Sequence, residues 1–454
     1  MLFVSNVNKD RVTVTDTVDG VSDEASSKTV KAISSIVGVS STGGITVVSN
    51  EDIVQTQLTA DTLFQKQCKL NIDGTRIIDS RREPYVMQDG SIKYGAPTSD
   101  NNLAFVDVKI PYGIETIGVE AFRGCRNLKS VEIPNSVKVI DKSAFCDCHS
   151  LVEIDIPDSV DMIENSVFYH CTSLSTVHLP KKVSYIGRYA FSETALKAIE
   201  FPDVSVIPDS VCVELEQLRR VVMTKVEVIE SSAFYACKRL AEVQFSDNLE
   251  CIEDRAFGFC ESITNIELPD TLRRIKNMAF VSCIRLKAVK LPDEMELIGD
   301  YAFSDCRALR QINIPRGIKW IAKNCFRSCE SLEVLHLPDT VQYIGSGAFH
   351  GCKNLREINI PDSVQRIESS AFCGCVRLKE IQIPEGITEI PTSCFECCTS
   401  LKEVRLPDML KRIDERAFSN THLTLIYKKG TMTAQAVKVL KSKLKSTNIK
   451  YVCI

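Results

Sequence analysis

A 23-residue pattern of apolar and polar positions recurs along most of this chain. The segment "AFRGCRNLKSVEIP" at residues 121–134 returns 23 residues later as "AFCDCHSLVEIDIP". Within it, apolar Val131 and Ile133 alternate with polar Ser130 and Glu132, which is the period-two pattern of a β-strand with one buried face. The proline that follows cannot donate to a strand ladder, so the strand is predicted to end there.

Each copy carries a phenylalanine, or in one case a cysteine, at the same place, with an isoleucine five residues earlier. The row has 14 members: Phe122, Phe145, Phe168, Phe191, Cys212, Phe234, Phe257, Phe280, Phe303, Phe326, Phe349, Phe372, Phe395 and Phe418. One copy is too short to cover its own apolar residues, so neighbouring copies must stack as coils of a solenoid. Each Ala-Phe pair, such as Ala144 and Phe145, is predicted to lie in a tight helical turn.

The pattern I-x-x-x-A-F-x-x-C-x-x-L-x-x-[VI]-x-[IL]-P, which runs over residues 101–426, resembles the BspA-like class of leucine-rich repeats. The resemblance implies an α/β repeat solenoid, a right-handed array of about 14 coils with a parallel sheet on its concave face. It also implies binding rather than catalysis. Members occur mostly in bacteria and some protists, and many are surface proteins to which adhesion is assigned.

Three further segments flank the array. Residues 1–66 are predicted to form a small α+β domain with a hairpin around "NKD", a helix over "DEASSKTVKAISSIVG" and a strand at "GITVVS". Residues 67–100 are rich in turn formers and are predicted to be a cap or linker before the first coil. Residues 427–454 are predicted to be a C-terminal cap made of a basic amphipathic helix and a strand, with the lysines facing solvent.

The composition argues against certain classes of partner and bears on where the protein is located in the cell. A net charge of −4 and a pI near 6.0 give no basic footprint for nucleic acid. The apolar runs are shorter than the roughly 18 residues of a membrane-spanning helix, so no membrane insertion is expected. The N-terminal sequence does not read as a signal peptide, which favours a cytoplasmic protein, whereas the family that it resembles is often secreted or at the cell surface.

Cysteine offers the first candidate chemistry, because 11 of the 20 cysteines occupy one position, three residues after the phenylalanine. Thr194, Leu215 and Thr421 replace cysteine in that row, and a metal or disulfide row would not accept leucine. We therefore predict free, buried thiols in a reducing compartment. The cluster "CDCH", with Cys146, Cys148 and His149, lacks four convergent ligands, so no metal and no cofactor are expected.

The residue before each repeated isoleucine forms an outward-facing row in which Leu297, Trp320 and Tyr343 occupy three consecutive coils, with Arg274 and Arg366 flanking them. Trp320 is the only tryptophan. Tryptophan, tyrosine and arginine are enriched at interface hot spots, so we predict that a protein partner or a second copy of the chain docks here. The alternative is that Trp320 merely packs across its neighbours.

Two functions remain open. The favoured one is a non-enzymatic protein-binding scaffold, adhesin-like or otherwise engaged in surface interactions, with glycan as a possible ligand and a monomeric or weakly self-associating state. The alternative is a structural spacer whose N-terminal unit carries the recognition. No nucleophile, phosphate-binding or metalloprotease motif occurs, so the chain is not expected to be an enzyme.

Overall fold

A computed structural model of the chain describes residues 106–110, 112–444 and 449–454, together with the backbone of short strands before residue 100. The chain divides into two compact units, Met1–Leu196 and Lys197–Ile454. The early strands of the first unit are Val7–Asn8, Arg11–Val12, Val37–Val39, Ile45–Val47, Thr56–Leu58, Lys69–Leu70, Arg76–Ile78, Pro84–Val86 and Ile92–Tyr94. A strand at Val37–Val39 replaces the predicted end of a helix, and the rest of that helix lies outside the described residues.

The repeats of the first unit form two ladders of parallel strands, and each coil contributes one strand to each ladder. Each ladder is a row of equivalent strands, and in both units the hydrogen-bonded pairing is interrupted in places. The strands of the first ladder are Asp107–Lys109, Ser130–Glu132, Glu153–Asp155 and Thr176–His178. Those of the second ladder are Thr116–Ile117, Val139–Ile140, Met162–Ile163 and Tyr185–Ile186. Equivalent residues pair across coils, so Val108 lies opposite Val131 and Ile117 opposite Ile140. The strand Arg76–Ile78 pairs with the second ladder in parallel.

The second unit repeats this arrangement. Its first ladder consists of Ala198–Glu200, Arg220–Val222, Glu242–Gln244, Asn265–Glu267, Ala288–Lys290, Gln311–Ile312, Val334–His336, Glu357–Asn359, Glu380–Gln382, Glu403–Arg405, Thr424–Tyr427 and Lys450–Cys453. Its second ladder consists of Val206–Ile207, Val228–Ile229, Cys251–Ile252, Arg274–Ile275, Leu297–Ile298, Trp320–Ile321, Tyr343–Ile344, Arg366–Ile367, Glu389–Ile390 and Arg412–Ile413. The predicted parallel-strand solenoid is thus confirmed in both units.

The Ala-Phe segment is a series of tight turns, and the prediction of a helical turn was wrong. Ala144 donates to the Asp141 carbonyl at 3.1 Å, and the backbone at Ser143 and Asp147 is left-handed, with φ of 55° and 61°. Because two residues four positions apart are left-handed in this segment, it cannot continue as an α-helix. The segment bonds instead to the next coil, because the N–H of Phe145 donates to the Val167 carbonyl at 3.0 Å.

The core of each unit contains a column of stacked phenylalanine rings. Their centroids lie 5.2–5.9 Å apart, and their planes differ by at most 15°. In the second unit Cys212 takes the position of a ring, and Phe201 contacts Phe234 edge-on at 6.1 Å. The rings stack because parallel pairing places equivalent residues of successive coils directly opposite one another, and each phenylalanine occupies an equivalent position in its coil.

One helix, α1, lies in the described part of the chain, at Met432–Lys443. The Thr431 side chain accepts from the Ala434 N–H at its start. Its buried face includes Thr433, whose hydroxyl donates to the Pro407 carbonyl and accepts from the Leu410 N–H. The helix thereby covers the last coil. No helix among the described residues has both the length and the apolarity that crossing a membrane requires.

Candidate functional site

The row that precedes each buried isoleucine places Trp320 at the surface of the second unit. Trp320 is 44% exposed, while Ile321, the next residue, is 2% exposed and belongs to the core. Successive strand residues point to opposite faces, which is why the tryptophan must lie outside once the isoleucine lies inside. Leu297 and Tyr343 are half-buried, and Arg274 and Arg366 are exposed.

Strand pairing groups the five predicted residues into two sets. Trp320 lies opposite Tyr343, and Tyr343 lies opposite Arg366. Arg274 lies opposite Leu297 in a sheet that ends with the strand Leu297–Ile298, and a new sheet begins at Trp320–Ile321. The five residues therefore occupy one row but do not share one uninterrupted hydrogen-bonded ladder.

Both flanking arginines are held by neighbours of their own. The Arg366 guanidinium lies 2.6 Å from the Glu368 carboxylate. Burial raises the pKa of the Tyr343 hydroxyl, and the charge of Glu368 raises it further. A hydrogen bond to the Cys251 thiol raises the pKa of Arg274. Tyr343, Glu368 and Arg366 thus form a polar rim on one side of Trp320.

The exposed row of the first ladder contains asparagines whose amides bond to backbone. The Asn313 side chain accepts from the Leu291 N–H at 2.7 Å and donates to the Leu291 carbonyl at 2.9 Å. Asn359 makes the same pair of bonds to Leu337, at 2.8 and 3.0 Å. These side-chain amides bond to backbone N–H and carbonyl groups of the preceding coil, in the way that a strand backbone does. In the sequence, only their identity as asparagine could have signalled this role.

The cysteine row donates hydrogen bonds between coils. Ten thiols lie 3.0–3.3 Å from the backbone carbonyl of the phenylalanine-row residue in the preceding coil. No cysteine in the described part of the chain forms a disulfide. Burial raises the pKa of Cys237, Cys283 and Cys352 to about 12, so these thiols stay protonated at neutral pH. The prediction of buried thiols without disulfides is confirmed for these residues, and Cys68 lies outside the described residues.

The structure also assembles two clusters of histidines and carboxylates that the sequence did not predict. One contains Asp147, His149 and His170, all half-buried, and the other contains Glu153, Asp155 and His178, all exposed. Each cluster joins residues from successive coils. A separation of about one repeat is the signal in the sequence that could have found them.

Comparison with known proteins identifies the repeat. The family model of the BspA type leucine rich repeat region, which contains six copies of the repeat, matches residues 99–216, 206–333 and 319–441. Among curated proteins, no sequence matches this chain.

The solved structures that this chain resembles include bacterial proteins. A leucine-rich repeat protein from Bacteroides ovatus is 26% identical, with a TM-score of 0.62 over 83% of this chain and 99% of that one. A leucine rich cell surface protein from Faecalibacterium prausnitzii is 25% identical, with a TM-score of 0.40 over 79% of this chain and 96% of that one. Because the family model spans the whole array of coils, this chain belongs to the BspA-type leucine-rich repeat proteins, which are generally scaffolds for protein interaction or surface proteins.

Proposed function

We propose that this chain is a non-enzymatic scaffold that binds a protein partner over the face of the second unit centred on Trp320. The observation that carries the proposal is the exposure of that tryptophan, 44% of whose surface faces solvent although the coil can be built without it. Equivalent positions hold Glu389 and Arg412, so an aromatic residue is not required there by the fold. A large exposed ring is most useful as an anchor that is buried when a partner docks.

The surroundings of Trp320 favour a protein over a glycan. Tyr343 and Leu297 add half-buried apolar surface on either side along the row, and Arg366 with Glu368 supplies charged groups at one edge. This arrangement of an aromatic centre and a polar rim matches the anatomy of protein interfaces. The family supports an adhesin-like role at a bacterial surface as one form of the proposal. Binding of an antibody against the chain to intact cells of the source organism tests that location.

The single tryptophan makes the proposal directly measurable in the intact protein. A protein partner that docks over Trp320 should shift its fluorescence emission to shorter wavelength and protect it from a soluble quencher such as acrylamide. Trp320→Ser should weaken binding of that partner, measured by titration calorimetry, by tenfold or more, which corresponds to about 1.4 kcal/mol or more. Tyr185→Ser is the matched control, because Tyr185 occupies the same slot in the first unit and is 40% exposed.

The same experiment separates the two functions that the sequence left open. If the N-terminal unit carries recognition and the coils are a spacer, partner binding should leave the emission and quenching of Trp320 unchanged. Trp320→Ser would then bind as tightly as the unaltered chain. That pair of results would contradict the proposal.

A further inference from the structure

Three potential metal ligands from two successive coils converge in the first unit. Asp147, His149 and His170 each place one ligand atom within 4.8 Å of the others, and all three are half-buried. Asp147 and His170 stand at equivalent positions of their coils, and both have a left-handed backbone, with φ of 61° and 59°. The stacking of coils brings them together, whereas His149 comes from the same coil as Asp147.

The hydrogen bonds of His149 leave one ring nitrogen suited to a metal. Its Nδ1 lies 3.1 Å from the backbone carbonyl oxygen of His170. A carbonyl oxygen only accepts, so Nδ1 carries the proton and Nε2 keeps its lone pair. A backbone carbonyl that fixes one ring nitrogen while the other binds metal is the usual arrangement around histidine ligands.

His170 lies between two carboxylates. Its Nδ1 is 2.9 Å from Oδ1 of Asp147, and its Nε2 is 4.0 Å from Oε2 of Glu193. The Tyr169 hydroxyl donates to the other oxygen of Glu193 at 2.6 Å and holds that carboxylate in place. When Nδ1 of His170 acts as a ligand, the ring proton moves to Nε2, and an approach of about an ångström would bring Oε2 of Glu193 within hydrogen-bond distance of it.

The local charge favours a cation. Arg123 lies 3.5 Å from Oδ2 of Asp147 and pairs also with Glu120. The Arg123 guanidinium thus pairs with two carboxylates, and Glu193 adds a third carboxylate beside His170, so the carboxylates around the cluster outnumber this guanidinium. Burial by itself raises the pKa of Asp147, but hydrogen bonds from His170 and from a thiol, together with the charge of Arg123, lower it overall. The carboxylate is ionised at neutral pH.

The neighbouring thiols are not suited to join this set. Burial raises the pKa of Cys146 to about 12, and the charge of Asp147 adds to the shift. Cys148 is buried and donates to the Phe122 carbonyl at 3.1 Å. The expectation of no metal at "CDCH" considered only ligands adjacent in sequence, and the set assembled here replaces both cysteines with a histidine from the next coil.

We propose that the first unit binds a divalent transition-metal ion of the zinc class through Asp147, His149 and His170, with Glu193 as the carboxylate that orients His170. Bonds of about 2.0–2.2 Å set tetrahedral ligand atoms roughly 3.4 Å apart. Ligand atoms that lie up to 4.8 Å apart must therefore approach, whereas Oδ1 of Asp147 and Nδ1 of His170, 2.9 Å apart, must separate slightly. Three protein ligands leave the fourth position for water or for a ligand from a partner. The ion would also clamp two successive coils.

The test uses untagged, full-length protein that has been stripped with chelator and then titrated with Zn²⁺. Equilibrium dialysis with elemental analysis should find about one zinc per chain, with a dissociation constant in the micromolar range or tighter. Cobalt loaded in its place should show visible d–d absorption without the near-ultraviolet band of thiolate ligands. Zinc should raise the thermal midpoint, because a ligand that binds only the folded state stabilises it.

Substitution of the proposed ligands tests where the zinc ion binds. His149→Gln and His170→Gln should each abolish the stoichiometric zinc and its effect on the thermal midpoint, while metal-free variants melt close to the metal-free parent. Glu193→Gln should weaken binding by about tenfold, as loss of an orienting partner does. His178→Gln, in the exposed second cluster, is the control and should bind as the parent does.

Three outcomes would overturn the proposal. The first is a parent protein that binds no zinc at micromolar concentrations. The others are zinc binding that survives both His149→Gln and His170→Gln, and a cobalt spectrum with a thiolate band. Either of the latter results would place the ion at other residues of the chain.

Discussion

The Sγ of Cys306 donates a hydrogen bond to the carbonyl oxygen of Phe280 in the preceding coil, 3.2 Å away. The same carbonyl accepts the N–H of Cys283, in its own coil, at 3.2 Å. One oxygen therefore closes a turn and joins two coils. Its repetition along the row explains why cysteine, a small residue with a donor, recurs where alanine would fill nearly the same space.

Replacing Cys306 with Ala should lower the free energy of unfolding by about 1–2 kcal/mol, because a thiol donor and a few contacts are lost while the carbonyl keeps its backbone partner. Urea denaturation measures the change, provided that the m-value, the dependence of the unfolding free energy on urea concentration, is the same for both proteins. Cys453→Ala, at an exposed position, is the control and should be neutral. Equal effects of the two substitutions would show that the inter-coil bond contributes nothing.

Replacing Phe303 with Ala should cost about 3–5 kcal/mol, because a fully buried ring is removed. Phe303 stacks on Phe280 at 5.5 Å and on Phe326 at 5.9 Å. Phe418 stacks on Phe395 at 5.4 Å at the end of the column. Phe418→Ala should therefore cost less, and equal losses in urea midpoint would argue against a column whose stability depends on neighbours on both sides.

Thiol labelling should separate the buried row from the surface. In the folded protein, Cys453 should react rapidly, whereas Cys237, Cys283 and Cys352, with pKa values of about 12, should remain unreactive between pH 7 and about 9. Mass spectrometry after timed alkylation measures this. After denaturation without reductant, close to all 20 cysteines should titrate, and a deficit of several pairs would reveal disulfides.

Truncation of Trp320 and truncation of Ile321 should differ greatly in their effect on the free energy of unfolding. Trp320→Ser should change the free energy of unfolding by no more than about 0.5 kcal/mol, as surface substitutions do. Ile321→Ala should cost about 2–5 kcal/mol, because Ile321 is 2% exposed. Thermal and urea midpoints of both variants test this. A large loss for Trp320→Ser, with partner binding retained by the folded fraction, would make the tryptophan a packing residue.

Asn359 should contribute to stability although it lies in an exposed row. Asn359→Ala should cost about 1–2 kcal/mol, because both backbone groups of Leu337 lose their amide partner in a part-buried position. Gln382→Ala, in the same row of the next coil, serves as the control and should be nearly neutral. If the two variants unfold at the same urea concentration, the amide of Asn359 adds no more than an ordinary surface side chain.

The sequence by itself determined the repeat, its coil length and the core. The 23-residue spacing of Phe122, Phe145 and their successors specifies stacked coils, because an apolar set that one coil cannot cover must be covered by the next. It also determined that Trp320 lies outside, since Ile321 must lie inside.

Only the tertiary structure decided which side chains meet across coils. The thiol of Cys306 reaches a carbonyl 26 residues earlier, Asn359 reaches the backbone of Leu337, and His170 comes to lie between Asp147 and Glu193. Such contacts depend on side-chain direction within each turn. The Ala-Phe segment, predicted as helical, adopts left-handed residues and intercoil bonds instead, and that geometry sets where each polar group points. Periodicity fixes the distance between coils, but hydrogen-bond geometry decides what their surfaces can bind.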